Sequence, residues 1–338
     1  MLREFSGLGL DPENRCPSAL APMQDVTGLG FMCTIARRGP PDFFFTEFFR
    51  VHAHSKLDDE ILDSITKNPT EVPVFAQLIG ENLEDMGRTV EELQKYPIAG
   101  IDLNFGCPAP RVYKKNVGGG LLRTPKKIDC LLAHLRQKVK GNLTVKMRIG
   151  FEDDRHFYEI LDLLAIHRIN LLSLHVRTVK GGYNTAPQYQ YVTEAQKKLK
   201  NTCPVLLNGS ISNAVEGFRI HKKFKSSGIM IGRAAIANPW IFRQLREIRN
   251  GLTPFSPTLG DLHEYLMELF EEIKKPEMKE EKMVARIKKF LNFVGLSLKG
   301  KESFLNEMRR AVFKDELFSI FSRHLLNNGN SEQAIPYA

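Results

Sequence analysis

The sequence predicts an α/β protein, a (β/α)8 TIM barrel followed by a small C-terminal all-helical domain. Three observations carry that expectation. Eight short apolar runs alternate with stretches of helical period, and such alternation implies a parallel sheet because each parallel strand needs a crossover. The eight units fill about 235 residues, close to the ~250 usual for such a barrel. Their polar residues gather at the carboxyl ends of the runs, which in a barrel form one ring where active sites sit.

The runs follow in order. Residues 18–23 (SALAPM) end in Ala21, Pro22 and Met23, and residues 42–49 (DFFFTEFF) contain Glu47. Residues 72–80 (VPVFAQLIG) carry Gln77, and residues 100–106 (GIDLNFG) carry Asp102 and Asn104. In residues 143–150 (LTVKMRIG) a spacing of two puts Lys146 and Arg148 on one face, as it does His175 and Arg177 in residues 171–178 (LLSLHVRT). Residues 203–210 (CPVLLNGS) end in Asn208, Gly209 and Ser210, and residues 227–235 (SGIMIGRAA) contain Gly232 and Arg233. Helical segments lie between most of these. In residues 125–139 (PKKIDCLLAHLRQKV), Ile128, Leu131, Leu132 and Leu135 form one apolar stripe. A doubly wound sheet is the rival fold, weakened by the lack of a Gly-x-Gly-x-x-Gly turn after the first run.

The pattern changes near residue 250. The expected organisation is a catalytic barrel over 1–250, a linker over 251–257 rich in helix breakers, and a helical domain over 258–338 with a frayed polar end. The barrel is expected to close without these helices, so that truncation near Thr253 would leave its ligand binding intact.

Net charge is +9, which favours a polyanionic partner without fixing one. No apolar stretch is long enough to span a membrane, and the first 17 residues do not read as a secretory signal. The five cysteines form no Cys-x-x-Cys pair and have no zinc-ligand spacing to histidine, so neither a structural metal nor a disulfide framework is expected. That usage fits a reducing, cytoplasmic setting. Cys33, Cys130 and Cys203 read as small buried hydrophobes and Cys16 as exposed.

Cys107 is different. It follows a strand end and precedes the basic, glycine-rich loop NFGCPAPRVYKKNVGGGLL, which holds Arg111, Lys114 and Lys115. A nucleophile there would want a histidine base, whereas a proton donor needs only to lie within about 3 Å of the reacting atom. Lys146, Arg148, His175 and Arg177 facing a barrel interior need either carboxylates, for which Asp102 and Glu47 are the candidates, or a bound anion. Glycines at the last two strand ends, with Arg233, suit a phosphate. The amides of Gln77 and Asn104 both donate and accept, which suits the edge of a heterocycle.

With these residues in place, the segments APMQDVTGLGF, FAQLIGEN, IDLNFGCPAPRVYKKNVGGGLL, TVKMRIG, LHVRT, LLNGSI and GIMIGRAAIANPWIF resemble, in order, the signature segments of the tRNA-dihydrouridine synthases. The resemblance implies an FMN enzyme that uses NADPH to reduce a tRNA uridine. It implies that Ala21, Pro22, Met23, Gln77, Lys146 and His175 surround the flavin ring, and that Asn208, Gly209, Ser210, Gly232 and Arg233 hold its phosphate. Cys107 would protonate uracil C5, with Asn104 orienting the base and the basic glycine loop closing over RNA. Arg148, Arg177, Arg111 and Lys114 would contact substrate. So would Arg286 and Lys289, one helical turn apart in the helical domain. A monomer with no membrane association is expected. Two departures stand out: Ser210 replaces the family's usual Asp, and the run VKGGYNTAPQYQYV after LHVRT is altered, with Tyr183 and Ala186 as possible counterparts. The alternatives are a dihydroorotate dehydrogenase-like FMN barrel acting on a small pyrimidine, and a non-catalytic tRNA-binding protein.

Overall fold

The computed structural model describes residues 8, 16–200, 202–275, 277–326 and 332–335. The first half runs β1 (Ser18–Leu20), α1 (Leu29–Arg37), β2 (Phe44–Phe45), β3 (Phe49–Arg50), α2 (Asp59–Thr66), β4 (Val74–Ile79), α3 (Leu83–Leu93), β5 (Gly100–Phe105) and α4 (Pro110–Tyr113). After a 3-10 turn over Gly118–Arg123 come α5 (Pro125–Lys138), β6 (Asn142–Arg148), α6 (Phe157–Ile166), β7 (Leu171–His175) and α7 (Gln190–Lys198). Then follow β8 (Val205–Asn208), α8 (Ala214–Phe224), β9 (Gly228–Ile231), α9 (Arg233–Ala237) and α10 (Ile241–Arg249). Four more helices complete the chain: α11 (Leu259–Glu272), α12 (Glu280–Leu296), α13 (Lys301–Arg310) and α14 (Lys314–Leu325).

All strand pairings are parallel, in the order β1-β9-β8-β7-β6-β5-β4-β2, with β3 also on β4. A parallel bridge from Ala19 to Phe43 closes the ring, and the Leu20 amide donates to the Phe43 carbonyl at 3.2 Å. Closure excludes the doubly wound rival. The second stave is broken between β2 and β3. Thr46 fills the break: its amide donates to the Phe75 carbonyl at 2.9 Å and its hydroxyl accepts from the Gln77 amide at 3.0 Å. Beyond it Glu47 and Phe48 line the mouth of the barrel.

The interior is apolar below and polar above. Phe43, Phe45, Phe75, Leu171, Leu206 and Met230 pack together in the lower barrel, with Phe45 stacked on Phe75 at 5.0 Å. The alternate residues of the same strands face outward into a larger core with the helices, where the expected stripe Ile128, Leu131, Leu132 and Leu135 is fully buried. Each such side chain stabilises by about 1.5–3 kcal/mol. Two cysteine expectations are corrected: Cys16 is buried and Cys130 is exposed. Among the described residues, no helix is long and apolar enough to cross a membrane.

The last four helices share the barrel's core rather than standing apart from it. Phe290 of α12 meets Phe31 of α1 at 5.3 Å, and the buried Tyr265 hydroxyl of α11 donates to the Ile236 carbonyl at 3.0 Å. Truncation near Thr253 would therefore strip apolar cover from α1, against the expectation that the barrel closes unaided. The end of the chain also differs from the frayed tail expected. Within residues 332–335, the Gln333 carbonyl accepts from Leu259 N, and Ile335, itself buried, donates to the Pro257 carbonyl, both at 2.9 Å. Residues 327–331 and 336–338 lie outside the described residues.

The α1–α11 contact requires a glycine. A Cβ on Gly30 would lie 2.4 Å from the Glu272 carbonyl oxygen, a backbone atom that cannot swing away. Gly30→Ala is expected to destabilise by about 1–3 kcal/mol, overriding the ~1 kcal/mol that alanine gains in helix propensity. Urea denaturation checks it against Gly141→Ala, where a Cβ meets nothing within 4 Å and little change is expected.

Candidate active site

The strand ends open into a cavity of about 860 Å3. Beneath it lies a chain of polar groups that begins at a buried acid. Asp102 accepts from Gln77 Nε2 and from Thr144 Oγ1, each at 2.6 Å. With its amide nitrogen so engaged, Gln77 turns its oxygen to Asn104, whose Nδ2 donates at 2.8 Å. Asn104 Oδ1 then accepts from the amides of Gly106 at 3.1 Å and Cys107 at 2.9 Å. Burial pushes the Asp102 carboxyl up from 3.8 to about 6, against the pull of Thr144 and Gln77.

This chain positions the thiol loop. Cys107 is half-buried and lines the cavity beside Pro108. Its carbonyl accepts from the Gly119 amide at 3.3 Å, and a Cβ on Gly119 would press to 2.8 Å from that same oxygen. Gly118, Gly119 and Gly120 are all buried. They support the loop from behind, whereas the sequence reading had the glycine loop closing over RNA. Arg111 and Lys114 remain exposed, Arg111 donating to Gln24 Oε1 at 3.2 Å.

The neighbouring strand carries the cationic wall, with Lys146 in register with Asn104. Lys146 Nζ donates to Asn208 Oδ1 at 3.1 Å, and Asn208 Nδ2 donates to the Met230 carbonyl at 2.9 Å. Burial, then the neighbouring Arg148, pushes the Lys146 ammonium down from 10.5 to about 8. The carboxylates that might have paired with it are engaged elsewhere: Asp102 as above, and Glu47, which accepts from the Asp25 amide at 2.7 Å. Burial raises Glu47 to about 7. His175 is buried, and burial together with Arg148 and Lys146 holds it well below the usual imidazole range, so it is neutral rather than a further cation. Its Nδ1 has no partner.

The two strand arginines clasp loops. Arg148 donates from Nε to the Gly106 carbonyl at 3.0 Å, and from one Nη to the carbonyls of Thr178 at 3.0 Å and Gly182 at 3.1 Å. It thus ties the Cys107 loop to the loop after β7 while its edge still faces the cavity. Arg177 donates to the Thr185 carbonyl at 2.6 Å and to Ser210 Oγ, lies behind the cavity wall, and leaves Nη1 unpartnered. Gln77 likewise lies behind the wall, fully buried, and reaches the cavity only through Asn104.

Ala21, Pro22, Met23, Gly209, Ser210, Gly232 and Arg233 all line the cavity. Gly209 (φ 112°) and Ser210 (φ 52°) turn in the left-handed region, and a Cβ on Gly209 would stand 3.1 Å from His175 Nε2. Arg233 lies 4.1 Å above the ring of Tyr183, which also contacts Arg148 at 5.4 Å. Tyr183 therefore caps the cationic wall from the altered loop.

Of the far wall, sequence reasoning singled out Lys289 alone. Phe293 and Leu296 of α12, Ser297 just after it, and Ile335 also reach the cavity from the helical part. Lys289 pairs with Asp25 at 3.0 Å, and Arg286 pairs with Glu60, so both expected RNA contacts are engaged with the barrel. On the barrel side Gln24 and Phe48 were also missed, while Glu47, read from sequence only as a possible partner of the cations, lines the cavity with them.

Fold and site together define a (β/α)8-barrel protein whose thiol loop and strand-end cations line one carboxylate-poor cavity. Comparison with known proteins gives the family. The family model described as dihydrouridine synthase (Dus) matches residues 19–330, and the chain belongs to that family. A tRNA-dihydrouridine(16) synthase of Neisseria meningitidis serogroup B is 26% identical over 321 residues, 92% of this chain and 96% of that protein. A probable tRNA-dihydrouridine synthase 2 of Bacillus subtilis is 28% identical, covering 88% of this chain and 90% of that one. A probable tRNA-dihydrouridine synthase of Staphylococcus aureus (strain COL) is 30% identical over 276 residues, 79% of this chain and 81% of that one. Among solved structures, a 2-naphthoyl-CoA reductase complex shares the fold, with TM-score 0.54 and 11% identity over 71% of this chain and 50% of that one.

The buried acid makes stability pH-dependent. Asp102 titrates near 6 in the folded protein and near 3.8 when exposed, so its contribution is full below about 3.8 and is lost as pH rises through about 6. The stability of the wild type relative to Asp102→Asn should fall between pH 4 and 7, by on the order of 2–3 kcal/mol. Urea titrations of both proteins at each pH read this difference directly. A constant gap would place the proton elsewhere.

Proposed function

We propose that this family member reduces the C5–C6 bond of a uridine in tRNA, with FMN as its cofactor, NADPH as reductant and Cys107 as proton donor. The observation that carries the reading is a thiol and strand-end cations without a carboxylate ion pair that line one cavity side by side, on adjacent strands. The residues fit a flavin nucleotide. Gly209 leaves open the space a Cβ would fill beside His175, and His175 Nδ1 is a buried polar atom without a partner. Lys146 and Arg233 have no recorded ion pair among the described residues, so each can meet an anion.

In this reading Asn208, Gly209, Ser210, Gly232 and Arg233 would hold the phosphate. Ala21, Pro22 and Met23 would flank the ring, with Lys146 and neutral His175 along its edge and Gln77 acting through Asn104. Bound there, FMN supplies two-electron exchange between NADPH and the uracil ring. Asn104 orients the base, and the Cys107 S–H bond breaks as a C5–H bond forms, leaving a thiolate that regains its proton from solvent. The target base must leave the RNA stack to enter the cavity. Arg111, bonded to the cavity residue Gln24, and Lys114 are exposed on the thiol loop and available to phosphates. The free thiols and a tRNA substrate suit the cytoplasm.

Two measurements test this. Lys146 is protonated below about 8 and loses its charge above it, so FMN affinity should be level near neutrality and decline as pH passes about 8. Lys146→Met should bind more weakly and lose that decline. Fluorescence quenching titrations across pH would show both, and an identical decline in the variant would remove Lys146 from the cofactor site.

Cys107→Ala separates the half-reactions. Flavin bleaching by NADPH should persist, because it needs no thiol, while reoxidation by tRNA should slow by roughly 10²–10⁴, the range for a lost general acid. Anaerobic rapid mixing, followed by nucleoside chromatography for dihydrouridine, gives both rates. Formation of dihydrouridine at the wild-type rate would dismiss the thiol.

A further inference from the structure

A second groove, of about 740 Å3, runs beside the cavity between the barrel rim and α12. It is not separate from the active site: Gln24, Glu47, Phe48 and Lys289 line both spaces. Its outer part is lined from the barrel by Arg50, His52, His54 and Lys56, and from α12 by Lys282. All five are exposed.

We propose that this groove binds the adenosine-phosphate half of the pyridine dinucleotide, whose nicotinamide end enters the cavity past Glu47 and Phe48. The proposal rests on the reading above that such a dinucleotide is the reductant. Three features point to this occupant. The volume lies within the roughly 300–1,000 Å3 of sites for small organic ligands. Cations outnumber acids along the groove: Arg50, Lys56, Lys282, Arg286 and Lys289 stand against Asp25, Glu47, Asp58 and Glu60. Asp25 is paired with Lys289 and Glu60 with Arg286 and Lys275, Asp58 caps α2 by accepting from the amides of Glu60 and Ile61 at 3.0 and 3.2 Å, and Glu47 accepts from the Asp25 amide. Arg50, Lys56 and Lys282 have no carboxylate partner among the described residues, which leaves a cationic surplus for phosphates. The groove is also a slot, crossed from barrel to α12 by the Lys289–Asp25 and Arg286–Glu60 pairs. A slot walled on both sides suits an extended small ligand such as a dinucleotide. His52 and His54 add planar rings on which adenine can stack.

The test uses the flavin-loaded full chain with Lys56→Ala and Lys282→Ala, both exposed and away from Cys107 and the cationic wall. In anaerobic rapid mixing, each variant should need about tenfold more NADPH for half-saturation, equivalent to 1.4 kcal/mol. The limiting rate of flavin bleaching should stay within about twofold, because the nicotinamide end is untouched. Adenosine 2′-monophosphate should compete with NADPH in the wild type and much less in the double variant. Half-saturation by tRNA in the oxidative half-reaction should not move. Unchanged NADPH half-saturation in both variants overturns the proposal, as does a shift in tRNA half-saturation alone, which would make the groove an RNA site. A wild-type flavin bleached by neither NADPH nor NADH would overturn the reductant reading itself, a result visible before any variant is made.

Discussion

Positive charge held inside the barrel without acids to pair with it is the constraint on which the rest of the site depends. Arg148 and Arg177 are buried and Lys146 is half-buried, and an unpaired buried ion is unfavourable by several kcal/mol. The protein meets this with neutral acceptors. Asn208 takes Lys146, while the carbonyls of Gly106, Thr178, Gly182 and Thr185 take the guanidiniums. Lys146 and His175 each hold their protons less tightly than in water. The charge that survives is available to a ligand, and the bonds that solvate it also tie down the loops on either side.

Asp102 shows how one acid orders a site it does not line. As an acceptor from Gln77 it fixes which end of that amide faces Asn104, and hence which end of Asn104 faces the Cys107 loop. A reversed Gln77 would set two donors against each other in a space without water. The loop is thus held through its backbone from two sides, by Asn104 in front and Gly119 behind. No hydrogen bond occupies the thiol itself, so it is free for chemistry.

The barrel was legible in the sequence because parallel strands covered on both faces read as apolar runs, and because the polar residues of a barrel site must collect at one set of strand ends. Asn104, Cys107, Lys146 and Asn208 were found on that ground and meet in one cavity. The break at Thr46 was missed: DFFFTEFF reads as one strand, although Thr46 and Glu47 interrupt its phenylalanines where β2 ends and β3 has yet to begin. Alternation also gave the inward direction of Arg148 and Arg177. It carried no information on where a long guanidinium ends, and these two end on loop carbonyls. Cys130 was readable after all: two residues beyond Ile128 on α5, it points about 200° away from the buried stripe.

The far wall of the cavity depends on long-range docking, which no local pattern encodes, and its two kinds of contact have different consequences. Apolar packing such as Phe31 on Phe290 sets where α12 lies. The ion pairs along its edge are another matter, because Lys289 and Asp25 are 48% and 57% exposed and such pairs contribute at most about 1 kcal/mol. An arriving phosphate can therefore take Lys289 from Asp25 at little cost while the helix stays in place. Glu47 nearby is raised by burial, an effect that the hydrogen bond from the Asp25 amide opposes. The far wall is thus fixed in place by its apolar packing, and the lysine at its edge is held only by a weak, exposed pair.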